Sequence, residues 1–185
     1  MTPFDEITEP MELEVLVGFF DLTGFMRLAQ KPEPVELLQL IAGYFELSQD
    51  IIETAGGWLV KTIGDAGLAA FPAERTDDGM RTMLRLKEEG DAWLAAQGVR
   101  SEAAVKHHVG KVGCGMVTGR RDIYGHTINL AGVMESTGFA MSSQTFRKLA
   151  PETRKLFNKQ TPPVSYIPVE VVHPRDVQRG WRSNM

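Results

Sequence analysis

Leu13 to Phe20 reads LEVLVGFF, an almost wholly apolar octet that ends at Asp21. A run of this length bounded by a polar break suits a strand buried on both faces in the middle of a sheet. Val15, Val17 and Phe19 alternate with Leu16, Gly18 and Phe20, so both faces carry core residues. With 185 residues, 43% hydrophobic and 24% charged, the chain is the size of one domain and can bury one sizeable core. Disorder as a global state is therefore excluded. A net charge of −4 and a pI near 5.6 argue against a broadly basic nucleic-acid binder.

No apolar run approaches the roughly 20 residues of a membrane helix. The segment Met1 to Met11 carries Asp5, Glu6 and Glu9 without a basic residue, unlike a signal peptide. Cys114 is the single cysteine, so no intramolecular disulfide forms. The expectation is a cytoplasmic protein with neither nucleic acid nor membrane as partner.

Residues 1–12, with two prolines and several acids, read as an exposed N-terminal arm, residues 13–172 as one domain, and residues 173–185 as a polar C-terminal tail. Apolar positions from Pro34 to Ala55 keep a helical period that Gly56-Gly57 ends. Trp58–Ile63 and Ala66–Phe71 are strand candidates around a Gly64-Asp65 hairpin turn. Thr76-Asp77-Asp78 caps a predicted helix running to about Gln97. Ala103 to Thr118 reads as a glycine-studded strand, 121–125 as a loop, 127–135 as a short helix and 139–142 as a strand. An amphipathic segment over 143–157 breaks at Pro151, and a last strand runs over 164–172, where Pro168 points to a sheet edge. The order predicts an α+β fold. It is a ferredoxin-like split βαβ sheet, mostly antiparallel, with helices on one face and a C-terminal extension.

Asp21 closes the first strand and Asp65 sits in the hairpin turn. If that hairpin pairs with the first strand, the two carboxylates meet at one end of the sheet. Paired carboxylates repel unless a cation sits between them. Mg²⁺ favours such a site, completed by substrate phosphates. Gly24 and the turn amides beside it offer an approach for a phosphate. The physical reading is a two-metal phosphoryl-transfer site. On spacing alone, a turn role is the commoner use of an aspartate.

The surrounding sequence shifts that balance. Phe20-Asp21-Leu22-Thr23-Gly24-Phe25, the run from Gly56 to Asp65 and the block Asp122 to Ala131 together resemble the catalytic domain of class III nucleotidyl cyclases, in order and with similar spacing. The resemblance covers about residues 13–172. It implies a homodimer with sites at the interface that converts a nucleoside triphosphate to a 3′,5′-cyclic monophosphate and pyrophosphate. It implies that Asp21 and Asp65 of one protomer hold two ions, Mg²⁺ or Mn²⁺, with Gly24 and Phe25 near the substrate. Lys61 and Asp122 of the other protomer match the base-selecting pair, and Asn129 the residue that orients the ribose. The polarity favours ATP, because an ammonium donates to adenine N1 and a carboxylate accepts from the exocyclic amine.

Three departures accompany the resemblance. The family pattern places an arginine four residues after the asparagine, and Val133 stands there. Valine offers neither charge nor donor to the transition state, which implies slow turnover. Met26 follows Phe25 where a threonine is common, and only Lys159 is a candidate for the usual lysine before the last strand. Arg120 and Arg121 beside the base-binding block are possible substitutes, although solvated surface charge is their commoner use. The implied function is slow conversion of ATP to cyclic AMP. The alternative is a Mg–ATP-binding regulatory domain with little turnover, and a heterodimer with an arginine-bearing partner is a third route.

Overall fold

The computed structural model describes residues 4–30, 32–134, 136, 138–160 and 165–168. Its centre is strand β1 (Met11–Leu22), longer at both ends than the apolar octet. β1 pairs antiparallel with β3 (Ala66–Pro72) on one side and with β4 (Ala103–Val117) on the other. Adding β2 (Trp58–Ile63), β6 (Phe139–Ser142), β7 (Phe157–Gln160) and β8 (Ser165–Pro168), the order is β2-β3-β1-β4-β6-β8-β7. All ladders are antiparallel except β4 with β6. The expected α+β sheet is present, and its first four strands show the order of a split βαβ unit.

The alternation along β1 divides the core. Leu16, Phe20 and Leu22 point into the larger cluster, which helices α2 (Pro34–Thr54) and α3 (Thr76–Ala96) cover with Tyr44, Ile51, Ile52, Met80, Met83 and Leu86. α2 begins with a capping box between Glu33 and Glu36 and a proline in its first turn. Val15 and Val17 point to the opposite face, where Leu68, Ala70, Val112, Ile123 and Ala131 complete a second cluster. The long helices thus share one face as expected. The short helix α4 (His126–Gly132) and the N-terminal segment cover the other.

Several expectations are corrected. The N-terminal segment is not simply an exposed arm, because Phe4 and Ile7 are buried in the second cluster and β1 begins at Met11. Thr76 does not cap α3; a 3₁₀ turn (Ala73–Arg75) precedes it and the Thr76 hydroxyl donates to the Ala73 carbonyl. Asp77 instead accepts from the Ala150 amide and the Thr153 hydroxyl, tying α3 to the C-terminal elements. Residues 121–125 are not a loop, since Arg120–Tyr124 forms strand β5 against β4. Thr118 and Gly119, at φ 50° and 77°, make the tight left-handed turn that joins them.

The amphipathic segment over 143–157 divides into α5 (Ser143–Lys148) and α6 (Pro151–Arg154), and β7, which the sequence reading missed, starts at Phe157. Within the sheet β7, not the strand with Pro168, forms the edge. Pro168 is tolerated because β6 pairs only with Ser165 and Tyr166. Residues 169–172 of the predicted strand and the tail over 173–185 lie outside the described residues.

The two histidines of β4 occupy successive positions and so opposite faces. His107 is fully buried against Phe139; its Nδ1 lies 3.2 Å from the Ala140 carbonyl and its Nε2 has no partner among the described residues. Burial pushes its pKa down to about 4. The native state thus holds His107 neutral while the unfolded chain takes up a proton below about pH 6.5. The stability this confers is complete above pH 6.5 and is lost as pH falls through the depressed value, by up to about 3 kcal/mol. Urea unfolding at pH 7 and pH 4.5 is expected to show a smaller acid loss in His107→Leu than in the wild type.

Gly67 is a second test of the core. A Cβ there would overlap Phe20 Cζ, so the ring of Phe20 rests on the glycine. Gly67→Ala is expected to lower unfolding stability by roughly 1–3 kcal/mol, measured by chemical denaturation.

Candidate active site

The β1–β3 register sets the first pair of site residues. Phe20 pairs with Gly67, so the chain reaches Asp65 as β1 reaches Leu22. The Asp65 carboxylate accepts the Leu22 amide at 3.3 Å. Asp21 and Asp65 thereby share one end of the sheet, as the sequence predicted. Partial burial pushes the Asp21 pKa up; the Lys106 ammonium pulls it down, and the Asp65 carboxylate adds to the upward push. No group of three or more His, Cys, Asp or Glu side chains able to hold a metal converges among the described residues. Two hard oxygen donors at a strand end fit a divalent cation that completes its shell with water and phosphate.

The loop after β1 is pinned. Thr23 donates its amide to the Glu102 carbonyl and its hydroxyl accepts the Glu102 amide, while Ser101 Oγ donates to the Thr23 carbonyl at 2.8 Å. Beyond this clamp Gly24 is exposed in the left-handed region at φ 72°, with open space where a side chain would stand. Phe25 opens the short helix α1 (Phe25–Leu28) and packs its ring on the larger core, whereas Met26 is exposed.

The second pair closes directly. Lys61 follows an irregularity in β2 and pairs with Leu68, while Asp122 lies on β5. Lys61 Nζ donates to Asp122 Oδ2 at 2.7 Å, and the ammonium sits 5.1 Å from the Tyr124 ring centroid. The other Asp122 oxygen accepts the Ile123 amide, so the carboxylate is held in place. Both residues of this contact belong to one protomer. Among the described residues no hydrogen bond or ion pair joins this pair to Asp21 or Asp65.

The remaining candidates are distributed differently. Asn129 is exposed within α4 rather than capping it, and its carbonyl accepts the Val133 amide one turn on. Val133 itself is 76% exposed. Lys159 lies on the edge strand β7, far across the sheet order from β1. Arg121 is committed elsewhere: its guanidinium donates to the carbonyls of Asp5 and Ile7 and lies over Trp58. Sequence reasoning also passed over Lys106, the cation beside Asp21; the available signal was a lone lysine in the apolar start of β4, Ala103-Ala104-Val105.

The family model for the adenylate and guanylate cyclase catalytic domain matches residues 8–164. The chain belongs to the class III nucleotidyl cyclases. This cyclase domain is 34% identical over 129 residues to an adenylate cyclase of Streptomyces coelicolor, covering 69% of this chain and 31% of that protein. It is 32% identical over 133 residues to an adenylate cyclase of Glutamicibacter nicotianae, covering 71% of this chain and 30% of that one. The match thus spans about a third of either relative's length.

Among solved structures, a bacterial light-regulated adenylyl cyclase superposes with a TM-score of 0.75 at 21% identity, over 90% of this chain and 55% of that one. The adenylyl cyclase CyaB from P. aeruginosa superposes at 0.72 and 19% identity, over 89% and 97% of the two chains. The core of a rhodopsin-guanylyl cyclase with converted specificity, solved with ATPαS, superposes at 0.71 and 21% identity, over 86% and 97%. At these identities the superpositions establish the fold of the cyclase domain. Among the described residues no helix is long and apolar enough to cross a membrane.

Arg121 provides the test of how the domain holds β5. Two charge-assisted bonds to backbone carbonyls keep the segment over 4–8 on the sheet. Each such bond is worth about 1.5 kcal/mol. Arg121→Ala is expected to speed amide exchange in that segment roughly one-hundred-fold, read by hydrogen–deuterium exchange mass spectrometry.

Proposed function

We propose that this domain cyclises ATP to 3′,5′-cyclic AMP and pyrophosphate in a homodimer that assembles each site from two protomers. The observation that carries the reading is the Lys61–Asp122 pair, an ammonium donor and a carboxylate acceptor 2.7 Å apart. That polarity suits adenine N1 and the exocyclic amine, whereas guanine presents an N–H and a carbonyl there. Exposed apolar side chains on β4, β5 and α4, including Met116, Tyr124, Leu130 and Val133, support a dimer, because these elements carry or adjoin Asp122 and Asn129.

Asp21 and Asp65 are the ligands for Mg²⁺ or Mn²⁺. When bound, such an ion supplies Lewis-acid activation of the ribose 3′-hydroxyl and neutralises triphosphate charge. The chain's own residues do the positioning. Asp65 keeps its carboxylate aligned through the Leu22 amide, Gly24 leaves the backbone after β1 uncovered beside the phosphates, and Phe25 anchors that turn to the core. Asn129, exposed on α4, orients the ribose. Val133 adds no donor for the α-phosphate, and Arg121, engaged with the N-terminal segment, does not replace one. Turnover is therefore slow.

Cyclic nucleotide production from ATP and Mn²⁺ is expected from purified protein and absent from Asp65→Ala. Val133→Arg is expected to raise kcat roughly 10²- to 10³-fold, the usual worth of one preorganised donor. The exposed Val133 favours one second reading, a domain that binds Mg–ATP and signals without turnover. Nucleotide binding that Asp65→Ala abolishes, with no product in wild type or Val133→Arg, would select it.

A further inference from the structure

The Lys61–Asp122 pair has a third member. Tyr124 stands two residues after Asp122 on β5, so the two side chains share a face of that strand. Across the ladder to β4, Gly115 opposes Asp122 and Gly113 opposes Tyr124. Neither glycine offers a side chain, and even a Cβ at Gly113 would meet only the Tyr124 carbonyl, at 3.8 Å. Tyr124 is left 56% exposed. The Lys61 ammonium, arriving from β2, lies 5.1 Å from its ring centroid, within cation–π range. Among the described residues Tyr124 is the only aromatic ring in that relation to Lys61.

The bonds of Asp122 decide what the ring can do. The Ile123 amide takes Asp122 Oδ1, so Oδ2 is the oxygen left to accept from a ligand's amine. That same Oδ2 holds Lys61 Nζ at 2.7 Å. A purine amine that engages Oδ2 therefore draws on the contact that fixes the ammonium. The ammonium sits on a flexible four-carbon stem, and keeping it aimed at a ring nitrogen costs side-chain entropy. An aromatic face holds a cation without using its hydrogen-bond donors. We propose that Tyr124 is a positioning residue for Lys61: its ring keeps the ammonium aimed at the nucleobase once Asp122 turns to the exocyclic amine. This rests on Lys61 and Asp122 being the base-selecting pair of a nucleotide site. Tyr124 acts through its ring and not its hydroxyl, so phenylalanine serves there and an aliphatic side chain does not.

The test is a double-mutant cycle on the full chain, read as calorimetric affinity for α,β-methylene-ATP with Mn²⁺. Tyr124→Leu is expected to weaken binding roughly three- to ten-fold, and Tyr124→Phe to stay within about two-fold of the wild type. Lys61→Met is expected to lose roughly ten-fold or more. In the Lys61→Met background, Tyr124→Leu is expected to change affinity by less than about two-fold, because the cation that the ring holds is gone. A ring that stacked on the base, or that served only the dimer contact, would give the same loss in both backgrounds. Circular dichroism and sedimentation establish that each variant keeps its fold and association state. If Tyr124→Leu does not, the wild-type complex decides by NMR: the Lys61 ε-methylene protons are expected at high field from the ring current, and ordinary shifts overturn the proposal. Equal binding by wild type and Tyr124→Leu, or an equal loss in the Lys61→Met background, also overturns it and leaves Lys61 as the base contact. Binding by Lys61→Met as tight as the wild type's, or no binding by the wild type, overturns the base-selecting reading itself and the role of Tyr124 with it.

Discussion

The double ladder of β1 is the constraint on which the rest of the molecule depends. Pairing from Met11 to Leu22 along β4, and from Val15 to Phe20 along β3, leaves the middle half of the central strand without a free edge. A one-residue slip would exchange Leu16 and Phe20 with Val15 and Val17 and set the helix-facing residues against the wrong layer. The same register delivers Asp65 to the Leu22 amide and Lys106 to the side of Asp21. Two charged groups on neighbouring strands, Asp21 and Lys106, and one in the β2–β3 turn, Asp65, therefore come to one end of the sheet. Sites supported by strands hold their geometry better than sites on loops.

The two charged pairs are in opposite electrostatic conditions. Lys61 and Asp122 satisfy each other in the isolated protomer, and one carboxylate oxygen is also held by a backbone amide. On the proposed reading, adenine must exchange that ion pair for its own ring nitrogen and amine, so specificity arises by replacing one good contact with two. Asp21 and Asp65 are less compensated: Asp21 has one ammonium at 3.8 Å, and Asp65 accepts a backbone amide. On that same reading the first pair is ready without ligand, while the second takes up further positive charge.

Much of the fold was legible because it rests on local patterns. The apolar octet, the helical period from Pro34 and the Gly64-Asp65 turn each express a short-range preference that the tertiary structure keeps. The carboxylate pair was legible for the same reason, since two motifs and one inferred pairing place it. What escaped depends on contacts distant in sequence. β5 reads as a loop because its strand character comes from pairing with the far end of a long β4. β7 lies in a polar stretch whose partner is β8. Phe4 and Ile7 are too isolated to form a pattern and are buried only because Arg121 and Trp58 receive them. Lys106 escaped because its meaning depends on Asp21, its diagonal neighbour on β1.

The commitment of Arg121 to Asp5 and Ile7 reaches beyond the anchoring of one segment. Arg121 is the residue before Asp122, so the strand that offers the carboxylate is fastened from two directions, by its ladder to β4 and by the first described residues of the chain. Positional tolerance at the proposed nucleobase end is then inherited partly from the segment over 4–8. Strain applied to that segment has a short lever arm to Asp122, through one guanidinium and one peptide unit. The proposed metal end has no equivalent handle among the described residues, because Asp21 and Asp65 are placed by the register of β1. The two halves of the proposed chemistry thus differ in mechanical compliance: one is coupled to the outside of the domain, the other to its core.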